Sequence, residues 1–166
     1  MNFNSFRTLA RTVGQSVGVV ASDNIWRTVY VQAQIETGNF SSRLYREDNN
    51  MFGMRAPNSR GLYIGITSSD FAKYLSTTES LKDYILRQRQ YGISFHQSSS
   101  DYIEQTLNSG YVAGADLKSG NKEVLEYYKA WMKGTGNQLP FTMPWKPVLE
   151  YTALFLTIIA LLKNQS

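Results

Sequence analysis

Ala33-Gln34-Ile35-Glu36-Thr37-Gly38, followed by Asn49-Asn50-Met51-Phe52-Gly53-Met54-Arg55, is the stretch on which the reading of this chain turns. Just upstream, Ser22 or Asp23 can cap a helix that carries Ile25, Val29, Ala33 and Glu36 along one stripe. Gly38 ends it, because glycine takes the left-handed position after a helix without steric cost. Glu36 therefore falls in the last turn and points with the apolar stripe. There the negative end of the helix dipole disfavours a carboxylate, so its expected pKa is raised. From position alone, an ordinary glutamate at a frayed helix end is the commoner outcome.

The chain has 166 residues, enough for one domain with a real core and too few for two ordinary ones. Hydrophobic residues make up 42% and charged residues 18%, the balance of a chain that folds. The 11 tyrosines suit a wet, amphipathic groove and equally suit a core. A formal net charge of +4 favours anionic polymers and surfaces. No basic stripe interleaved with stacking aromatics accompanies it, which argues against nucleic acid as a partner. With no cysteine, disulfides, thiolate zinc sites and cysteine nucleophiles are excluded. The single histidine, His96, has no second histidine at metal spacing and reads as a loop or rim residue. Residues 1–21 are treated as an N-terminal segment, too interrupted by Gly14, Gln15, Ser16 and Gly18 for a secretory signal.

Residues 39–61, rich in Ser, Asn, Arg and Gly, read as a long loop around the Asn49–Gly53 turn. Gly61–Thr67 has the β-branched and aromatic content of a short strand or hairpin arm. From Thr78 and Glu79 the spacing of Leu81, Tyr84 and Ile85 predicts a helix that ends at Tyr91-Gly92. Shorter helices are expected over 101–107 and 121–133. Gly136, Pro140 and Pro144 mark a linker over 135–147, which closes a domain spanning 22–134. Beyond it, residues 148–163 form a hydrophobic helix, with Trp145 and Tyr151 suited to an interface and Lys146 and Lys163 able to snorkel. Its apolar run spans about 22 Å, short of a roughly 30 Å hydrocarbon core. Membrane association, and burial against a partner such as a virion or capsid protein or against the chain's own core, both remain open for it.

The two opening motifs resemble those of the glucosaminidases of glycoside hydrolase family 73. In that family a helix ends in a catalytic Glu within A-x-x-E-[ST]-G, and an N-N-[LM]-F-G-[IM]-[KR] turn follows. Ala33–Gly38 and Asn49–Arg55 match every fixed position. The resemblance continues through Phe71-Ala72-Lys73-Tyr74-Leu75-Ser76, through Glu79-Ser80-Leu81-Lys82-Asp83-Tyr84 (the family's E-S-[IL]-x-D-[YF]) and through Ser109-Gly110-Tyr111. It covers roughly residues 22–133 and departs from the family at Ala113-Gly114-Ala115-Asp116, where T-D-P-x-Y is usual.

This resemblance implies a mainly helical α+β, lysozyme-like fold with a short β-lobe, and hydrolysis of the β-1,4 bond between the amino sugars of peptidoglycan. No metal or cofactor is expected. Glycosidic cleavage needs a carboxylic acid kept protonated beside the leaving oxygen, and a second group that activates water or stabilises positive charge. Glu36 takes the first role. Asp70, the acidic residue between Asn50 and Tyr74, is the candidate for the second, although Ser68-Ser69-Asp70 also suits a helix cap. Glu47 and Asp48 are alternatives on the preceding loop. Tyr111 is carried over as a hydrogen-bonding group near the scissile bond, with a packed core tyrosine as the plainer reading. Asn50 and Phe52 are expected to support the substrate-binding floor, and Tyr63 to line it.

A lytic transglycosylase, which also uses one Glu, and a glycan-binding structural protein without turnover both remain open. The hydrophobic tail, together with the lack of a clear export signal, points to a virion-associated or membrane-associated enzyme acting in the cell wall or periplasm.

Overall fold

Every helix among the described residues starts at a serine or asparagine whose side-chain oxygen accepts the backbone N–H three residues on. The pairs are Asn2 with Ser5, Ser22 with Ile25, Ser42 with Tyr45, Ser76 with Glu79 and Ser98 with Asp101. Each satisfies one donor that the first turn would otherwise leave unpaired. The computed structural model describes residues 1–56 and 60–111. In order they form α1 (Phe3–Ser16), α2 (Asp23–Glu36), α3 (Arg43–Asp48), β1 (Gly65–Ile66), β2 (Ala72–Lys73), α4 (Thr77–Gln90) and α5 (Ser99–Asn108).

Helix α2 is the spine. It packs against α1 on one side and α5 on another, and α1 also reaches α4. Ile25, Trp26, Val29 and Ala33 are buried on α2, against Phe6, Ala10 and Val13 of α1 and Leu81, Tyr84 and Ile85 of α4. Helix α1 thus belongs to the same core, at the spacing i, i+4, i+7 expected of one helical face. Gly14 is what lets α1 approach: a Cβ there would lie 2.8 Å from the Val19 carbonyl and 3.1 Å from the Trp26 ring. Residues 1–21 therefore hold a packed helix that was not expected.

The expected long loop over 39–61 also contains a helix. Ser42 caps α3, and Arg43 pairs with Glu47 one turn later at 2.6 Å. The expected strand over 61–67 shrinks to Gly65–Ile66, antiparallel to Ala72–Lys73, with Gly65 opposite Lys73 and Ile66 opposite Ala72. Arg55 adds an isolated bridge to Phe71. The architecture is mainly helical α+β with a very small β-lobe, as the resemblance implies. The expected helices over 121–133 and 148–163 and the linker 135–147 lie outside the described residues. Among the described residues, no helix is long and apolar enough to cross a membrane.

Candidate active site

Glu36 is the last residue of α2 and is partly exposed. Beyond it the chain turns through three consecutive left-handed residues, Gly38 (φ 58°), Asn39 (φ 56°) and Phe40 (φ 62°). A phenylalanine in that region is costly, so the surroundings must hold it there. Thr37 supplies much of the hold: its Oγ donates to the Ala33 carbonyl at 2.6 Å and accepts from Phe40 N–H at 2.8 Å. Gln34 Nε2 donates to Asn39 Oδ1 at 2.9 Å, and the Phe40 ring packs against Tyr30 and Tyr45. The helix end that carries Glu36 is therefore tied down rather than frayed.

The second motif folds around Asn50, which is fully buried. Its Nδ2 donates to the carbonyls of Met54 and Ala72, both at 2.9 Å. Its Oδ1 accepts from the N–H groups of Met54 at 2.9 Å and Phe52 at 3.3 Å. Both amide hydrogens and both acceptor positions are thus spent on backbone, which leaves the side chain a clamp between the turn and β2. From the other side, Ser80 Oγ of α4 accepts the Met51 N–H at 2.9 Å. The turn so fixed brings Gly53, at φ 59°, against Glu36. A Cβ on Gly53 would lie 3.0 Å from Glu36 Oε2. The motif glycine is required twice, for its backbone conformation and for the space the carboxylate occupies.

Phe52 lies under this contact, 1% exposed, with its ring stacked on Tyr84 at a centroid distance of 4.0 Å. Tyr84 is anchored by a buried polar chain. Its hydroxyl donates to Gln32 Oε1 at 2.5 Å, lies 2.7 Å from the Tyr102 hydroxyl and accepts from Gln88 Nε2 at 2.9 Å. Gln88 Nε2 also lies 2.8 Å from Thr106 Oγ1. Tyr111 packs edge-on to Tyr84, and its hydroxyl donates a short hydrogen bond to the Phe52 carbonyl. Burial, and after it the charge of Glu36, hold the Tyr111 phenol well above its usual pKa, while Arg87 opposes the shift. The hydroxyl therefore stays a donor at neutral pH.

The structure brings Glu36, Asn50, Phe52 and Tyr111 together around one turn. Asp70 sits elsewhere, exposed at the bend of the β1–β2 hairpin with φ 63°. Its N–H donates to the Thr67 carbonyl and its own carbonyl accepts from Ala56 N–H, so hairpin hydrogen bonds place it and no helix cap does. Tyr63, just before β1, packs partly buried against the core. Glu47 pairs with Arg43, and Asp48 pairs with Lys73 at 3.3 Å. His96 is exposed and helps line a cavity of about 400 Å³ with Val20, Ala21, Ser22, Phe95 and Gln97. That cavity lies at the N-terminal end of α2, about 20 Å along the helix from Glu36.

Several residues around the site carried no assigned role in the sequence. Ser80 holds the turn, Tyr84 supports Phe52, and Asp83, buried, accepts from Tyr74 Oη and Arg60 Nε, each at 2.5 Å. All three belong to Glu79–Tyr84, so the motif was visible while its partners were not. Gln32, Arg87 and Gln88 had no motif to mark them.

The glucosaminidase family, described as mannosyl-glycoprotein endo-beta-N-acetylglucosaminidase, matches residues 9–137. The chain belongs to this family. It is accordingly a glycoside hydrolase of the glucosaminidase type that acts on peptidoglycan. The match begins within α1, consistent with that helix sharing the core. No curated protein matches by sequence. Among solved structures, the chain is similar to one from a type VI secretion system effector-immunity complex of Pseudomonas protegens. The identity is 19% and the TM-score 0.55, over 80% of this chain and 89% of that one. At that identity the glucosaminidase shares a fold with its neighbour, and no more is carried across.

Proposed function

We propose that this glucosaminidase is an endo-β-N-acetylglucosaminidase in which Glu36 protonates the leaving glycosidic oxygen. The observation that carries this reading is the contact between the Glu36 carboxylate and Gly53. It sets a partly exposed acid between a helix C-terminus and a turn clamped from two sides. A general acid needs that kind of fixed placement, because its efficiency depends on geometry before pKa. Tyr111, whose proton is held by the Phe52 carbonyl, keeps its oxygen lone pairs for the sugar or for the positive charge that develops on it. For the second role Asp70 is kept as the candidate: it stands apart from Glu36 on the hairpin, but its carboxylate is exposed and so open to water.

Digestion of purified peptidoglycan by the wild type and by Glu36→Gln, with mass spectrometry of the products, tests this. Reducing N-acetylglucosamine ends from the wild type alone are expected. Anhydro-muramic ends would make the enzyme a lytic transglycosylase. Products that persist unchanged in Glu36→Gln would remove Glu36 from the chemistry.

The reading of residues 148–163 as a lipid anchor rests on their sequence, apolar from Val148 to Leu162 except for Glu150 and two threonines, with Lys146 and Lys163 at the flanks. In flotation with anionic lipid vesicles, the full chain is expected to rise with the lipid and a chain ending at residue 147 to stay behind. Equal flotation of the two would refute the anchor.

A further inference from the structure

Arg87 lies on α4 with 7% of its surface exposed. Burying a guanidinium is expensive unless its donors and charge are met. Here Nη1 donates to Gln88 Oε1 at 2.9 Å and to Ser109 Oγ at 3.1 Å, while Nη2 donates to the Ser109 carbonyl at 3.3 Å. The charge is met by two aromatic faces, with the guanidinium carbon 4.4 Å from the Tyr91 ring centroid and 4.7 Å from that of Tyr111. Among the described residues it forms no ion pair with a carboxylate.

Every one of these contacts except those to Gln88 and Tyr91 goes to the Ser109-Gly110-Tyr111 turn. Gly110 takes φ 68° there, so the chain reverses directly before Tyr111. The Tyr111 hydroxyl then reaches the Phe52 carbonyl, one residue before Gly53 and its contact with Glu36. Arg87 and Glu36 also act on the Tyr111 phenol with opposite sign. One tyrosine thus stands between a buried cation and the carboxylate assigned as the acid.

From this arrangement we propose that Arg87 is a positioning residue for the glycosidase reaction, acting through Tyr111 by clamping the Ser109–Tyr111 turn. This rests on the assignment of the reaction to the Glu36 site. Lysine cannot replace it, since a single ammonium lacks the planar fork that grips both Ser109 oxygens while lying flat between two rings.

The test is steady-state kinetics on soluble glycan strands prepared from peptidoglycan, for Arg87→Met and Arg87→Lys in the wild-type and Tyr111→Phe backgrounds, with thermal melts of each. In the wild-type background Arg87→Met is expected to lower kcat by about 10- to 100-fold with KM within about threefold. In the Tyr111→Phe background the same change is expected to cost less than about threefold, because residues acting as one unit are not additive. Arg87→Lys should regain most of the melting temperature without regaining kcat. Should Arg87→Met not fold, Ser109→Ala, which removes one of the three hydrogen bonds, takes its place and is expected to lower kcat by about threefold with the same dependence on Tyr111.

Equal losses in the two backgrounds, or a lowered melting temperature with kcat intact, would overturn the proposal. Glu36→Gln measured alongside keeps the two ideas separate. Undiminished turnover in Glu36→Gln refutes the acid assignment, whereas the coupling between Arg87 and Tyr111 is read from the four-variant cycle itself.

Discussion

The Asn50–Met54 turn has two neighbours of opposite character. Towards α4 the contacts are buried and mostly bonded: Ser80 holds Met51, Phe52 lies on Tyr84, and Tyr84 is locked to Gln32, Gln88 and Tyr102. Towards the hairpin there are strands of two residues, Asp70 exposed at the bend, and Ile64 and Ile66 standing 68% and 52% exposed. Both sides are joined by the same residue, since Asn50 bonds the turn and β2 together. The contrast teaches where placement is strict. The group assigned to protonate the leaving oxygen rests on the rigid side, and the group assigned to water rests on the side with the least support. Local openings of a fold concentrate in segments with few buried contacts, so the hairpin is where adjustment to a substrate costs least.

The comparison breaks first at Glu36. Replacement by glutamine, which keeps the shape and removes the transferable proton, should lower turnover on peptidoglycan about 1000-fold with the melting temperature preserved. A variant within tenfold of the wild type would mean that the rigid side does not carry the chemistry. Asn50→Ala comes next and reads as stability. Four backbone groups lose their partner, so urea unfolding should show a loss of about 3 kcal/mol, and a loss below about 1 kcal/mol would deny the clamp.

Gly53→Ala sharpens the same side without removing a functional group. The added methyl meets Glu36 Oε2 and strains a left-handed residue, so turnover should fall about 100-fold, at a stability cost of about 1 kcal/mol. Unchanged kinetics would show that the carboxylate moves freely. Asp70→Asn has the smallest expected effect, about tenfold in kcat with KM and stability unchanged, below the roughly 100-fold or more of a firmly placed acid–base group because its lobe is loosely held. A loss of less than twofold would pass the activation of water to another group.

Much of α2 was legible because its signals are local. Ser22 caps it, Ile25, Val29 and Ala33 recur at helical spacing, and Gly38 follows it in the left-handed conformation. The α1 stripe of Phe6, Ala10 and Val13 had the same periodicity, but residues 1–21 were weighed only as an export signal and, once that was set aside, were left as an unassigned segment. Helix α3 was hidden for a different reason: it is six residues long, its two apolar members Leu44 and Tyr45 are adjacent, and none of the six is buried, so there is no periodicity to read.

Capping and periodicity, which are properties of neighbours along the chain, determined by themselves a helix that ends in a glutamate, while the resemblance carried by Ala33–Gly38 and Asn49–Arg55 implied the mainly helical α+β glucosaminidase. Only the tertiary structure decided what that glutamate faces. The Gln32–Tyr84 bond joins residues 52 positions apart, and Tyr111 reaches the Phe52 carbonyl across 59. Such contacts depend on how helices pack once the core is buried, and the side chains of Tyr84, Arg87 and Tyr111 have no local pattern that announces a partner so far away. The same is true of Gly53, whose need for an absent Cβ appears only when α2 and the turn have been brought together.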